Sequence, residues 1–219
     1  MSQISRRGAL GAGAGIAAAT ALGAAVPAAA ATKPAAASPA GGPPAGGAHP
    51  HLFSLAKSAP DTYHGGTLRG ANEKSFPVLS GQEGSVYLVH LDPGGMREPH
   101  WHPTAWELNY IISGTADWSI LGTHPDGSYH NDVFTAGQGD LVFAPQGFFH
   151  YFANSSTTES LDVLVIFNTS ASEPNDDIGI VGTLNSIPRE ILASAFGIPV
   201  SAFAAVPTDL KPVVITKRQ

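Results

Sequence analysis

From Val86 to Phe167 the large apolar residues come in short runs, each closed by glycine, proline, aspartate or asparagine. The runs are Val86–Leu91, Glu107–Ile112, Asp117–Leu121, Asp140–Ala144, Phe149–Ala153 and Leu161–Phe167. None is long enough for an ordinary helix, and their alternation suits half-buried strands. A spacing of about 8–12 residues is that of an antiparallel sandwich or barrel. Gly114, Gly122, Gly127, Gly139 and Gly147 are read as turns, and His124-Pro125-Asp126-Gly127 as a hairpin turn. After the strands the pattern changes. Pro188 to Phe196 has helical propensity and stops at Gly197-Ile198-Pro199, and Ser201–Val206 suits a short second helix. The expected fold is all-β, an antiparallel β-barrel or jelly roll with short C-terminal helices.

The first 50 residues cannot join that core. They hold 19 Ala, 9 Gly and 6 Pro, and every Phe, Tyr and Trp of the chain lies after them. A core needs large apolar side chains, so one folded domain is expected over residues 51–219. Ahead of it, Arg6-Arg7 precedes a weakly apolar Gly/Ala segment that ends in the small residues Ala28 to Ala31. This resembles a twin-arginine export signal over residues 1–31. Residues 32–50 read as a disordered Ala/Pro/Gly linker. The expected location is therefore periplasmic, cell-wall or extracellular. Such a route exports folded proteins, so a metal would be acquired in the cytoplasm.

The net charge is −6, with no Lys/Arg cluster outside the N-terminus, which argues against nucleic-acid binding. The absence of cysteine excludes disulfides, zinc fingers, iron–sulfur clusters and thiol catalysis. No stretch of strongly apolar residues is long enough for a membrane span.

Chemistry concentrates in two segments. In Arg97-Glu98-Pro99-His100-Trp101-His102, the two histidines at i and i+2 project from one strand face. Glu107 opens the next strand and can offer an oxygen to the same point. Downstream, Gly139, Pro145 and Gly147 deliver a hairpin whose second strand carries His150. Three imidazoles and a carboxylate leave two octahedral positions open. Nitrogen and oxygen donors without thiolate suit Mn²⁺ or Fe²⁺, and ligand type alone leaves Zn, Ni and Cu open. The bland alternative is a barrel with three hydrogen-bonded histidines. His49-Pro50-His51 is read as solvated, and His64, His90, His124 and His130 as structural or solvated.

These segments resemble the two cupin motifs. The pattern G-x5-H-x-H-x4-E-x6-G is met at Gly94, His100, His102, Glu107 and Gly114. The pattern G-x5-P-x-G-x2-H-x3-N is met at Gly139, Pro145, Gly147, His150 and Asn154. The resemblance implies a cupin-type barrel with metal ligands His100, His102, Glu107 and His150. Arg97-Glu98-Pro99-His100-Trp101-His102 further resembles the R-E-x-H-W-H signature of oxalate decarboxylases, and similarity continues through Ser172-Glu173-Pro174-Asn175 and Ile187 to Gly197. Those enzymes carry two barrels, whereas this chain has one, so it is similar to a single-barrel relative. The resemblance gives Arg97 the task of polarising a substrate carboxylate and Glu173, on a mobile loop, that of moving protons. Strand parity alone would turn Glu98 rather than Arg97 toward the histidines, but Pro99 interrupts the ladder. Pro174 stands where the family carries Asn and stiffens the loop.

A divalent metal, Glu107 and Arg97 sum to about +2 in a poorly solvated barrel, which favours a small dicarboxylate. The leading expectation is manganese-dependent conversion of oxalate to formate and CO₂, with O₂ as co-catalyst. The alternatives are an oxalate oxidase releasing hydrogen peroxide, another Mn/Fe cupin oxygenase, or a non-catalytic cupin that binds metal or a small ligand. The C-terminal helices resemble those that dock on neighbouring barrels in this family, so a homo-oligomer is expected.

Overall fold

The computed structural model describes residues 49–123, 125–209 and 212–219. The proposed signal over 1–31 and nearly all of the 32–50 linker lie outside these residues, as does His124. The described part opens with His49, Pro50 and His51, all exposed.

Twelve strands follow: β1 (Asp61–Tyr63), β2 (Gly66–Ala71), β3 (Ser85–Leu91), β4 (Gly95–Trp101), β5 (Glu107–Ser113), β6 (Thr115–Thr123), β7 (Tyr129–Gly137), β8 (Leu141–Ala144), β9 (Phe149–Asn154), β10 (Leu161–Phe167), β11 (Ile178–Gly179) and β12 (Ile215–Lys217). Between the last two lie helices α1 (Ile180–Asn185) and α2 (Arg189–Phe196) and a 3₁₀ turn at Val200–Phe203. The expected second helix is that shorter turn. α2 follows Pro188 and stops at Gly197, whose φ of 67° is left-handed.

Pairing is antiparallel throughout. One sheet has the order β1-β2-β3-β10-β5-β8; the other runs β11-β4-β9-β6-β7, with β12 also on β4. The expected all-β architecture of antiparallel strands with short C-terminal helices is what the described residues adopt. Strict alternation builds its interior: in β3, Ser85, Tyr87, Val89 and Leu91 are buried while the residues between them are half-buried. Trp118, Phe152, Leu91, Ile111 and Leu161 are fully buried between the sheets. Leu192, Ala193 and Phe203 form a separate small core among the C-terminal helices.

Gly114, Gly127, Gly139 and Gly147 have positive φ, as their turns require. Gly122 does not form a turn. It lies within β6 opposite His130, and a Cβ there would run into the Phe148 ring. Glycine at this position clears space for an aromatic side chain. His90 is structural, with Nδ1 2.7 Å from the Asp162 carboxylate.

Candidate metal centre

β4 carries the first part of the site, and its irregularity matters. Against β9 the register shifts between Arg97 and His100. A regular strand would turn residues three apart to opposite faces. The break at Glu98-Pro99 reverses that parity, so Arg97, Glu98 and His100 are all buried while Met96, Pro99 and Trp101 are half-buried. Both candidates that strand parity sets against each other are thus buried; Arg97 lines the cavity beside the donors, while the Glu98 carboxylate lies against Gly179. His102 follows directly after β4, Glu107 opens β5, and His150 is the second residue of β9.

One ligand atom from each of His100, His102, Glu107 and His150 lies within 4.8 Å of all the others, and all four residues are buried. Glu107 Oε2 is 3.0 Å from His102 Nε2, 3.1 Å from His150 Nε2 and 3.9 Å from His100 Nε2. The opposite ring nitrogens fix the tautomers. Nδ1 of His100 donates to the Glu98 carbonyl at 2.7 Å, that of His102 to the Asp176 carbonyl at 2.9 Å, and that of His150 to the Phe148 carbonyl at 2.9 Å. A carbonyl only accepts, so each Nδ1 carries a proton and each Nε2 is turned inward, where a neutral ring offers a lone pair. Three lone pairs and a carboxylate oxygen then face one another out of reach of bulk water. Such a set repels itself unless protons or a cation lie between, so the donors fit a divalent ion of nitrogen/oxygen preference.

Protonation reflects this crowding. Burial pushes the Glu107 carboxyl up, but the neighbouring His150 charge and imidazole hydrogen bonds outweigh it and hold the group well below the usual carboxylate range. Burial pulls His102 down, and Glu107 more than reverses it, so His102 is raised. For His100 burial prevails and its pKa falls well below the ordinary value.

Beside the four donors a small cavity of about 10 Å³ is lined by Arg97, Glu173 and Tyr87 among others. That is room for about one water molecule. Glu173 opens a 3₁₀ turn, Glu173–Asn175, with Pro174 as its second residue. Its main-chain N–H donates to the Tyr87 hydroxyl at 2.7 Å, and its Oε1 accepts from Arg97 Nη2 at 3.4 Å. Burial raises the Glu173 pKa, with Arg97 opposing. The far end of the loop is held too. The Asp176 carboxylate accepts from the Thr104 N–H at 3.1 and 3.2 Å.

Three functional-site residues escaped the sequence reading. Tyr87 shares the inward parity of Val89 and Leu91, and an inward tyrosine needs a polar partner, so parity was a usable signal. Asp176 and Asp177 carried none. Asp177 pairs directly with Arg97 Nη2 and its side chain is fully buried. Glu98 Oε1 lies 3.7 Å from Arg97 Nη1. The expected local charge of about +2 therefore needs correction. Glu98, Glu173 and Asp177 add three carboxyl groups, and with all of them ionised the sum becomes about −1. Burial raises the pKa of Glu98 as it does that of Glu173, which moderates this excess. Trp101 and Trp106 pack near Phe149 and Phe143 respectively. Asn154 ties the end of β9 to neighbouring loops through its amide, which donates to the carbonyls of Asp92 and Glu159.

Residues 53–202 match the cupin family model. This chain belongs to the cupin family. Among its cupin relatives is a probable oxalate decarboxylase of Arthroderma benhamiae, 33% identical over 151 residues, which are 68% of this chain and 35% of that protein. Another is germin-like protein subfamily T member 3 of Arabidopsis thaliana, 32% identical over 58% of this chain and 54% of the relative. Among solved structures, oxalate decarboxylase from Bacillus subtilis superposes with a TM-score of 0.64 at 26% identity, over 76% of this chain and 41% of that one. Other work on that enzyme concerns its Mn(II) centres. The cupin described here thus spans between a third and about half the length of these proteins.

Proposed function

We propose that this cupin is a manganese-dependent oxalate decarboxylase. One observation carries the reading: Arg97 and Glu173, an anion-binding group and a buried acid, share a small cavity with His100 and Glu107 of the four-donor cluster. His100, His102, Glu107 and His150 would hold Mn²⁺, with Fe²⁺ the alternative. Together with O₂ as co-catalyst, the metal would supply reversible one-electron chemistry that no side chain here provides.

The remaining work falls to this chain's own residues. Arg97 binds and polarises one carboxylate of oxalate through its guanidinium. The 173–177 loop excludes water over the site. Hydrogen oxalate becomes CO₂ and formate: the carbon–carbon bond breaks, its electron pair stays on the formate carbon, and a proton is added there. Glu173, whose burial favours its protonated form, delivers that proton. Without that proton, oxalate, O₂ and two protons can instead yield two CO₂ and hydrogen peroxide.

The test is product analysis under air with the Mn-loaded protein and oxalate. Formate and CO₂ in equal amounts support the reading. CO₂ with peroxide and no formate assigns an oxidase, and no turnover assigns a binding cupin. Arg6-Arg7 at the head of a Gly/Ala segment supports export, and so a periplasmic, cell-wall or extracellular location. Exposed Ile191, Phe196, Ile198 and Val200 on the helical segment support a homo-oligomer. Among the described residues no helix is long and apolar enough to cross a membrane.

A further inference from the structure

Arg97 is already occupied. Its Nη2 pairs with Asp177, whose side chain is fully buried, and Asp177 Oδ1 has no hydrogen-bond partner. Glu173 Oε1 lies 3.4 Å from the same nitrogen. The cavity beside them holds about 10 Å³, far less than a six-atom dianion needs. A substrate carboxylate therefore cannot reach Arg97 while Asp177 stays in place.

We propose that Asp177 is a specificity-determining residue, a built-in carboxylate that occupies Arg97 until a substrate carboxylate exchanges with it. The inference rests on the reading in which Arg97 receives oxalate. The two carboxylates on Arg97 are held differently, although the main chain beside Asp177 is also tied, Asp176 to Thr104 and His102 and Ile178 to Trp101. Glu173 is anchored through its main chain to Tyr87. Asp177 is held by the guanidinium that the substrate also seeks. Release of Asp177 opens the cavity while Glu173 stays at the site.

The exchange also selects for two carboxylates. A dicarboxylate can bind the metal with one end and take Arg97 with the other. A monocarboxylate bound to the metal leaves Arg97 to Asp177. Formate, the product, is then displaced as Asp177 returns. Since the binding-competent state is the one with Asp177 released, removing its charge strengthens apparent affinity by the closed-to-open ratio.

The experiment compares wild-type and Asp177→Asn protein, both Mn-loaded, by calorimetric titration with oxalate without O₂ and by steady-state kinetics under air. The proposal expects Kd and KM for oxalate to fall about tenfold with a smaller change in kcat, and formate to inhibit more strongly. A purely structural role would instead lower metal content or raise KM. Unchanged or weaker oxalate binding with metal retained overturns the proposal. Failure of the wild-type protein to bind oxalate overturns the functional reading itself. Hydrogen exchange on the wild-type protein serves if the variant does not fold: oxalate should speed exchange at the Asp177 and Ile178 amides, and slower exchange there contradicts the exchange mechanism.

Discussion

His102 donates its Nδ1 proton to the main-chain carbonyl of Asp176 at 2.9 Å, joining a candidate metal ligand to the loop that closes the cavity. The same Asp176 accepts the Thr104 N–H through its carboxylate, so one residue fixes both the loop and the imidazole. Loss of such a hydrogen-bond partner typically weakens a metal site by about 10–100-fold. Asp176→Ala keeps that carbonyl but removes the carboxylate that ties it to the Thr104 N–H, so the carbonyl is no longer held against His102; Mn²⁺ binding should weaken by up to about tenfold in a chelator competition, while the fold by circular dichroism stays intact. Unaltered affinity would show that the loop does not support the ligand.

Glu173→Gln keeps the shape of the acid and removes its proton. Loss of a general acid costs about 10²–10⁴-fold, so formate production should fall by at least about 100-fold. Bound manganese should be unchanged, since Glu173 is not among the four donors. Formate production at the wild-type rate would remove Glu173 from the mechanism.

Acidity should oppose the metal. In the ion-free site Glu107 raises the pKa of His102 above its ordinary 6.5. That contributes stability fully present below the unfolded value and lost as pH rises through the folded one. Glu107 is held well below its ordinary 4.5, so its contribution is present above that value and lost as pH falls through the folded one. Between the two, the ion-free protein is stabilised by the same proton a cation must displace. The rise in Tm on adding Mn²⁺ should therefore shrink as pH is lowered from about 7.5 to about 5.5. Thermal melts with and without the ion measure it, and a growing increment would contradict the donor assignment.

Gly179 pairs with His100 across β11 and β4, and a Cβ there would strike the Glu98 carboxylate. Gly179→Ala should destabilise the fold by about 1–3 kcal/mol in urea denaturation. Gly182→Ala, three residues on in α1, meets nothing and should be neutral or stabilising by about 0.5–1 kcal/mol. Equal effects at both positions would refute the packing argument.

The convergence of the four donors was legible because the motif spacing sets His100 and His102 two residues apart, and glycine and proline turns deliver His150. The fold was legible wherever one face of a strand is buried, as in Ser85–Leu91. β7 was missed because most of its residues from Tyr129 to Thr135 are exposed, leaving no apolar period to read. α1 was missed because Ile180–Asn185 is six residues long, has no buried residue and begins without a side-chain cap. Arg97 could be placed only by resemblance, since the break at Pro99 overrides parity. Asp177 was invisible because its partner lies 80 positions away in the chain.

Whether the four donors share one cation is read from metal stoichiometry. Wild-type protein and the variants His100→Ala, His102→Ala, Glu107→Gln and His150→Ala would each be loaded with Mn²⁺, freed of excess ion and assayed for bound metal. A single ion per chain is expected in the wild type, and its loss in each variant that remains folded. No bound ion in the wild type, or full occupancy in the folded variants, would contradict the shared cation site.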